Sequence, residues 1–192
     1  GWITATSWAS TGLTCSTSYS FRVKARNGDG TETAFTDATT VATQGCSPNS
    51  PSSLAPASLV NGSWGNDNTP TLTFSLSDPD AGDTLRYRIQ IDDTSDFSSL
   101  VVDYTSALQA QGAATFTVGQ AAGSGSYTAG SAGQTLTDSA NSTSGYYWKV
   151  LATDNTGASS AYTTANSGAI AFKLDTTAPV TGPITFGAIA TT

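Results

Sequence analysis

Short segments in which every second residue is apolar recur along the chain, and this alternation restricts the fold more than any other feature. In Tyr146–Ala152 the even positions are apolar or aromatic, and Leu85–Ile91 alternates in the same way at its odd positions. Successive side chains of a strand point to opposite faces, so the pattern indicates strands with one buried face. No long segment has the 3.6-residue apolar period of an amphipathic helix. The sequence therefore predicts an all-β protein built from β-sandwiches.

Residues 52–176 contain most of these segments and are expected to form one complete sandwich, after a linker at 47–51. The expected strands are Thr69–Leu76, Leu85–Ile91, Val101–Tyr104, Thr115–Val118, Tyr146–Ala152 and Ile170–Leu174. The alternation places these side chains in the core: Leu72, Phe74, Tyr87, Ile89, Tyr146, Trp148, Val150 and Phe172. Gly119–Gly133 is rich in Gly, Ser and Ala, with only Tyr127 to anchor it, and is expected to be a long loop.

Residues 1–46 supply only part of another sandwich. Polar and apolar residues alternate from Tyr19 to Ala25, Asn27–Gly30 is typical of a hairpin turn, and Thr33–Thr43 provides a returning strand. With at most one more strand before them, about three strands leave one apolar face uncovered.

Residues 177–192 are expected to be a linker followed by the first strand of a further domain. Ile184, Phe186 and Ala188 share one face of that strand. Two partial domains around a complete one have two explanations. Either the chain is a segment of a tandem array, or its last strand completes the first domain of a neighbouring copy.

The N-terminal pattern resembles the end of a fibronectin type III domain, with Gly12-Leu13 followed by the strand that begins near Tyr19, the position of a tyrosine corner. Asp78–Leu85, Tyr87–Asp92 and Tyr147–Gly157 resemble Ig-like and fibronectin III-like modules of large bacterial surface proteins. Phe172–Pro179 resembles the junctions between such modules. The resemblance implies β-sandwiches in tandem. These modules serve adhesins, stalks, sheaths and secreted enzymes alike, so the resemblance specifies architecture better than function.

The two cysteines are placed to form a disulfide. Cys15 lies just before the first hairpin strand and Cys46 just after the returning one, so both come to the same end of the hairpin. The alternative is a pair of free buried thiols. A disulfide predicts an oxidising compartment, and hence an extracellular or cell-surface location. With two Cys and no His, zinc is not expected.

Charge and composition exclude several functions. The net charge is −7, with 13 Asp and one Glu against seven Lys and Arg, which argues against nucleic acid and anionic membranes as partners. No apolar run reaches the roughly 18 residues that a membrane span requires. The chain has no His and therefore no Ser-His-Asp or Cys-His constellation. We expect no enzymatic activity.

No cofactor is expected, and calcium is the one cofactor that the residues could bind. Asp78, Asp80 and Asp83 bunch in one turn, and carboxylates are the ligands that calcium prefers. Asn66–Pro70 also resembles the interdomain calcium linker of cadherins, but the acidic partners that precede that motif are missing. The alternative is ordinary turn chemistry, in which Asp side chains accept hydrogen bonds from the backbone two residues on.

These observations favour a non-catalytic extracellular structural protein that assembles with copies of itself head-to-tail. The alternative is a carbohydrate-binding or accessory module of a secreted enzyme or adhesin, because exposed aromatic rings stack on sugars. Trp2, Trp8 and Trp64 lie outside the clearest strand patterns and are the candidates, although burial under a further sheet is favoured for Trp2 and Trp8.

Overall fold

A computed structural model describes residues 2–180 and 182. These residues form twelve β-strands and two short 3-10 turns, and they contain no α-helix. None of their helical segments is long and apolar enough to cross a membrane. The strands are Ser18–Phe21 (β1), Thr39–Ala42 (β2), Ser52–Ala55 (β3), Ser63–Gly65 (β4), Thr71–Leu76 (β5), Leu85–Asp92 (β6), Val102–Thr105 (β7), Gly112–Thr117 (β8), Ser126–Ala129 (β9), Tyr147–Asp154 (β10), Thr163–Thr164 (β11) and Phe172–Leu174 (β12).

Two antiparallel sheets pack face to face in the central part of the chain. One has five strands in the order β11-β10-β6-β7-β9, and the other has three in the order β3-β5-β8. Aromatic rings join them: Phe74 and Tyr87 lie 4.9 Å apart between ring centroids, and Phe116 and Tyr104 lie 5.1 Å apart. The parallel pair β4 and β12 forms a further small sheet. The arrangement is all-β and consistent with a β-sandwich.

The core follows the alternation in the sequence. All eight side chains assigned to it are buried, and Trp148, near the start of β10, is completely enclosed. The Trp148 indole N–H donates a hydrogen bond to the carbonyl oxygen of Leu59 at 2.8 Å, so the polar edge of the ring is also satisfied. The predicted facing of these strands is confirmed.

The first two strands form a separate hairpin. Tyr19 of β1 lies opposite Val41 of β2, and regular pairing ends at Phe21, earlier than the predicted strand. The Thr14 backbone N–H donates to the Tyr19 hydroxyl at 2.9 Å, which is the contact of a tyrosine corner. Tyr19 thereby ties the segment before β1 to the strand itself.

The expected loop at Gly119–Gly133 contains a strand, so that prediction is wrong. Within it, β9 pairs with β7 at the edge of the five-stranded sheet. Tyr127 packs 4.9 Å from Tyr104 between ring centroids, and its hydroxyl donates to the Gln120 carbonyl oxygen at 2.8 Å. The backbone ladder, Tyr127 and the hydrogen bond from the Tyr104 hydroxyl to the Ala122 carbonyl oxygen together hold this segment of weak strand propensity against β7.

Candidate functional site

Three aspartates meet at one end of the sandwich, where three core strands begin or end. Asp154 is the last residue of β10, Asp78 follows β5 by two residues, and Asp83 precedes β6 by two. Each continues the inward-facing series of its strand, because a step of two residues returns the side chain to the same face. One carboxylate oxygen from each lies within 4.8 Å of the other two, and we call these residues the acidic cluster.

Asp154 is held by the turn that follows it. Its Oδ1 accepts hydrogen bonds from the backbone N–H groups of Thr156, Gly157 and Ala158 and from the Thr156 hydroxyl, at 2.7–2.9 Å. Gly157 has a φ of 99°, which favours glycine at this point of the turn. Asp154 is completely buried, and its Oδ2 has no hydrogen-bond partner.

Asp78 also has one carboxylate oxygen that accepts a hydrogen bond and one that has no partner. Its Oδ1 accepts from the Asp80 N–H at 2.8 Å, whereas its Oδ2 is buried without a partner. Gln111 braces this turn, since its side chain accepts from the Asp78 N–H at 2.8 Å and donates to the Asp80 and Asp83 carbonyl oxygens. The turn is therefore held by both Asp78 Oδ1 and the Gln111 side chain, while Asp78 Oδ2 accepts no hydrogen bond.

The charges of the acidic cluster are not compensated by cations within the described residues. The ion pairs there, Lys24–Glu32 and Arg88–Asp103, involve none of its members. Burial and the charges of Asp78, Asp80 and Asp154 raise the pKa of Asp83. Burial also acts to raise the pKa of Asp154, but the hydrogen bonds of its turn outweigh that effect and lower it. Within the acidic cluster the hydrogen bonds of its turn therefore favour the charged form of Asp154, whereas burial and the neighbouring carboxylates disfavour the charged form of Asp83.

The predicted calcium ligands are only partly brought together. Asp78 and Asp83 belong to the acidic cluster, but the Asp80 carboxylate accepts the Cys46 N–H at 2.7 Å instead. Asp154 was missed by the sequence reasoning, although the alternation from Trp148 through Val150 and Ala152 reaches it at the next step. In the Asn66–Pro70 motif, Asp67 accepts from the Thr69 N–H and hydroxyl, as in an ordinary Asx turn.

The predicted disulfide is confirmed: Cys15 and Cys46 are bonded, with their Cα atoms 5.0 Å apart. Because the Cys46 N–H also donates to Asp80, the disulfide lies next to the turn that carries Asp78 and Asp83. The Asn49 N–H donates to the Ser77 carbonyl oxygen at 2.9 Å and strengthens the same junction. The hairpin is therefore joined to the central part of the chain at the end that holds the acidic cluster.

The hairpin exposes apolar side chains on a surface that nothing in the described residues covers. None of residues 2–47 is buried, and seven of the ten exposed large hydrophobic side chains of the described chain lie there. Trp2 and Trp8 are 45% and 67% exposed, so the described residues do not cover them, and their burial under a further sheet stays a prediction. The predicted assembly residues Ile184, Phe186 and Ala188 lie outside the described residues.

The two faces of the hairpin differ. On one, Arg22 and Lys24 lie over the Phe35 ring, and Lys24 and Arg26 lie over the Trp2 ring, at 4.3–5.5 Å from the ring centroids. We call the other the apolar hairpin face; its residues are Tyr19, Phe21, Val23 and Val41. Val23 and Val41 are 64% and 55% exposed, against 47% and 45% for Phe35 and Trp2 on the opposite face, where basic side chains lie over the rings.

A groove of about 420 Å³ lies beside the third exposed tryptophan. Trp64, at 49% exposure, forms one wall, and Asn66 and Asp67 supply polar groups. Lys173 Nζ lies 5.7 Å from the centroid of the Trp64 ring.

Comparison of the sequence with models of known protein families finds no family that matches, and a search of curated proteins finds no match either. The resemblance to fibronectin type III and Ig-like modules therefore stays a prediction.

Proposed function

We propose that this chain is a non-catalytic structural unit of an extracellular assembly, with β-sandwiches in tandem and copies joined head-to-tail. The observation that carries the proposal is the uncovered apolar hairpin face. An isolated two-stranded hairpin is marginal in water, and an exposed apolar face and open strand edges favour pairing with another chain. The disulfide supports an oxidising compartment.

The partner in this proposal is Pro183–Ile189 of a second copy. In that segment Ile184, Phe186 and Ala188 alternate with other residues and would present one apolar face. Strand addition to an open edge gains main-chain hydrogen bonds, while alternate side chains cover the neighbouring surface. In this arrangement the apolar hairpin face of one copy receives the terminal strand of the next. A head-to-tail contact of this kind extends into a filament unless its rotation closes a ring.

Deletion of residues 180–192 tests the donated strand. We expect the full chain to form end-to-end assemblies in electron micrographs and light scattering, and the shortened chain to remain monomeric with an unchanged circular dichroism spectrum. Assemblies that persist after the deletion contradict strand donation, and so does a native chain in which an upstream segment covers the hairpin.

A pair of substitutions tests the acceptor surface. Val41→Asp places a charge on the apolar hairpin face, whereas Thr40→Asp places the same charge on the opposite face, since neighbouring residues of a strand point to opposite sides. We expect Val41→Asp to abolish assembly and Thr40→Asp to preserve it. Equal effects of the two variants would contradict the proposed face.

The Trp64 groove favours a second candidate function, glycan binding. An exposed indole beside amide and carboxylate groups offers both a stacking surface and hydrogen-bond partners for a sugar. Affinity electrophoresis in gels containing soluble polysaccharides separates the two functions. A glycan-binding module is retarded and loses the retardation in Trp64→Ala, whereas a structural unit migrates as it does in a gel without polysaccharide.

A further inference from the structure

The acidic cluster differs from the other buried aspartates of the sandwich. Asp92 and Asp103 are also almost completely buried, but each has partners on both carboxylate oxygens. The Thr94 and Ser99 N–H groups donate to the two oxygens of Asp92, and the Arg88 guanidinium donates to both oxygens of Asp103. Buried polar groups are normally satisfied in this way, so the unpartnered Oδ2 atoms of Asp78 and Asp154 require an explanation.

We infer that the acidic cluster binds a calcium ion through the carboxylates of Asp78, Asp83 and Asp154. Asp78 and Asp154 each use Oδ1 for turn hydrogen bonds and keep Oδ2 free, which leaves one oxygen of each for a ligand. Three carboxylate oxygens lie within 4.8 Å of one another, and none of them forms an ion pair with a cation of the described residues. The acidic cluster therefore presents three hard anionic ligands to one point.

The surroundings of the acidic cluster favour calcium over magnesium. Calcium accepts six to eight oxygen ligands in an irregular arrangement, whereas magnesium demands a near-ideal octahedron. Asp83 is only half-buried, so one side of the acidic cluster is open to water molecules that complete the shell. Asp78 and Asp83 come from the turn between β5 and β6, and Asp154 comes from the end of β10, so the ligands are spread over two segments of the chain.

A bound ion would also act on the junction with the hairpin. Asp80 lies between two ligands, with its N–H bonded to Asp78 and its carboxylate bonded to the Cys46 N–H. An ion that fixes Asp78 and Asp83 therefore fixes the turn that holds the disulfide end of the hairpin. This inference does not depend on assembly and applies equally if the chain is a glycan-binding module.

Isothermal calorimetry and thermal melting of the full chain test the site, with CaCl2 and MgCl2 as the probes and a chelator as the reference condition. We expect one Ca²⁺ per chain. At calcium about 100-fold above the dissociation constant, the melting temperature should rise by roughly 5–10 °C. No heat of binding and no thermal shift, or an equal shift with Mg²⁺, would overturn the calcium assignment.

Asp83→Asn is the decisive variant because this side chain is half-exposed and accepts no hydrogen bond from the described residues. We expect it to lose the calcium-induced shift and to melt no lower than the unsubstituted chain in chelator, since it removes like-charge repulsion. Asp78→Asn keeps an Oδ1 acceptor for the Asp80 N–H and should lose the shift as well. Asp37→Asn, an exposed aspartate on the hairpin, removes the same charge and should retain the full shift. A shift of equal size in Asp83→Asn and Asp37→Asn marks general charge screening and would overturn the site.

Discussion

Asp103 shows how this fold keeps a carboxylate charged inside a sheet. It lies on β7 beside Arg88 and Gln90 of β6, and its side chain is 2% exposed while that of Arg88 is 42% exposed. Burial acts to raise the pKa of Asp103, but hydrogen bonds from Arg88 and Gln90 outweigh it and hold the pKa below its ordinary value. The guanidinium thus covers the carboxylate at the edge of the core and remains hydrated itself.

This network predicts an acid-dependent loss of stability. Because the pKa of Asp103 is depressed in the folded state, its stabilisation is fully present above the unfolded value of about 3.9 and is lost as the pH falls through the folded value. Asp103→Asn should cost about 1–3 kcal/mol at neutral pH, as an unsatisfied partner does. Urea denaturation between pH 7 and pH 3 should show the two chains converging at the acid end. A difference that stays constant with pH would contradict the assignment.

Trp148 is the largest completely buried side chain of the described chain. We expect Trp148→Ala to lower the free energy of unfolding by about 3–5 kcal/mol, because it leaves a large cavity and removes the hydrogen bond to Leu59. Trp64→Ala is the matched control, since that indole is half-exposed. Chemical denaturation measures both variants, and similar small losses would contradict the complete burial of Trp148.

At the scale of elements, period-two alternation predicted the long strands and the facing of their side chains. Leu72 and Phe74 of β5 and Trp148 and Val150 of β10 are buried as that pattern requires. The short strands β3, β4 and β11 were missed, because two to four residues are too few to display a period, and β4 pairs with β12 at the far end of the central region. The alternation along β10 also reaches Asp154, the proposed ligand that was not identified from the sequence. An aspartate that follows a series of core residues is more often interpreted as a turn residue than as an inward-facing one.

The β1–β2 hairpin is expected to depend on its disulfide. A bridge that closes a segment with a sequence separation of 31 residues stabilises by roughly 3–4 kcal/mol in the chain-entropy model. Because residues 2–47 have no buried side chain, little else opposes unfolding there.

Replacing both cysteines with serine should therefore disorder the hairpin and leave the central sheets intact. Amide hydrogen exchange resolves the two regions: β1 and β2 should lose protection, while β6 and β10 keep theirs. Hairpin protection that is unchanged in the double variant would show that the disulfide is dispensable.

The whole molecule combines a well-packed region with a region that has almost no core. Every buried hydrophobic side chain of the described chain lies between Leu72 and Leu174, and the hairpin contributes none. The two regions meet through a few polar contacts, among them Cys46 with Asp80 and Asn49 with Ser77. The stability of the chain should therefore reside in one region, while its exposed apolar surface resides mainly in the other.

A fragment of residues 47–176 tests this division. It keeps the five-stranded and three-stranded sheets, the acidic cluster and the linker contact of Asn49 with Ser77, and it loses only contacts that are exposed or half-buried. We expect it to unfold in one cooperative transition near that of the full chain, because burial of the apolar core supplies most of the folding free energy. The oxidised fragment 1–46 should show no cooperative transition, since two strands without a covered apolar face are marginal on their own. Thermal melting followed by circular dichroism measures both. A fragment 47–176 that fails to fold would mean that the hairpin is a structural part of the central domain, and the two regions would then have to be described as one.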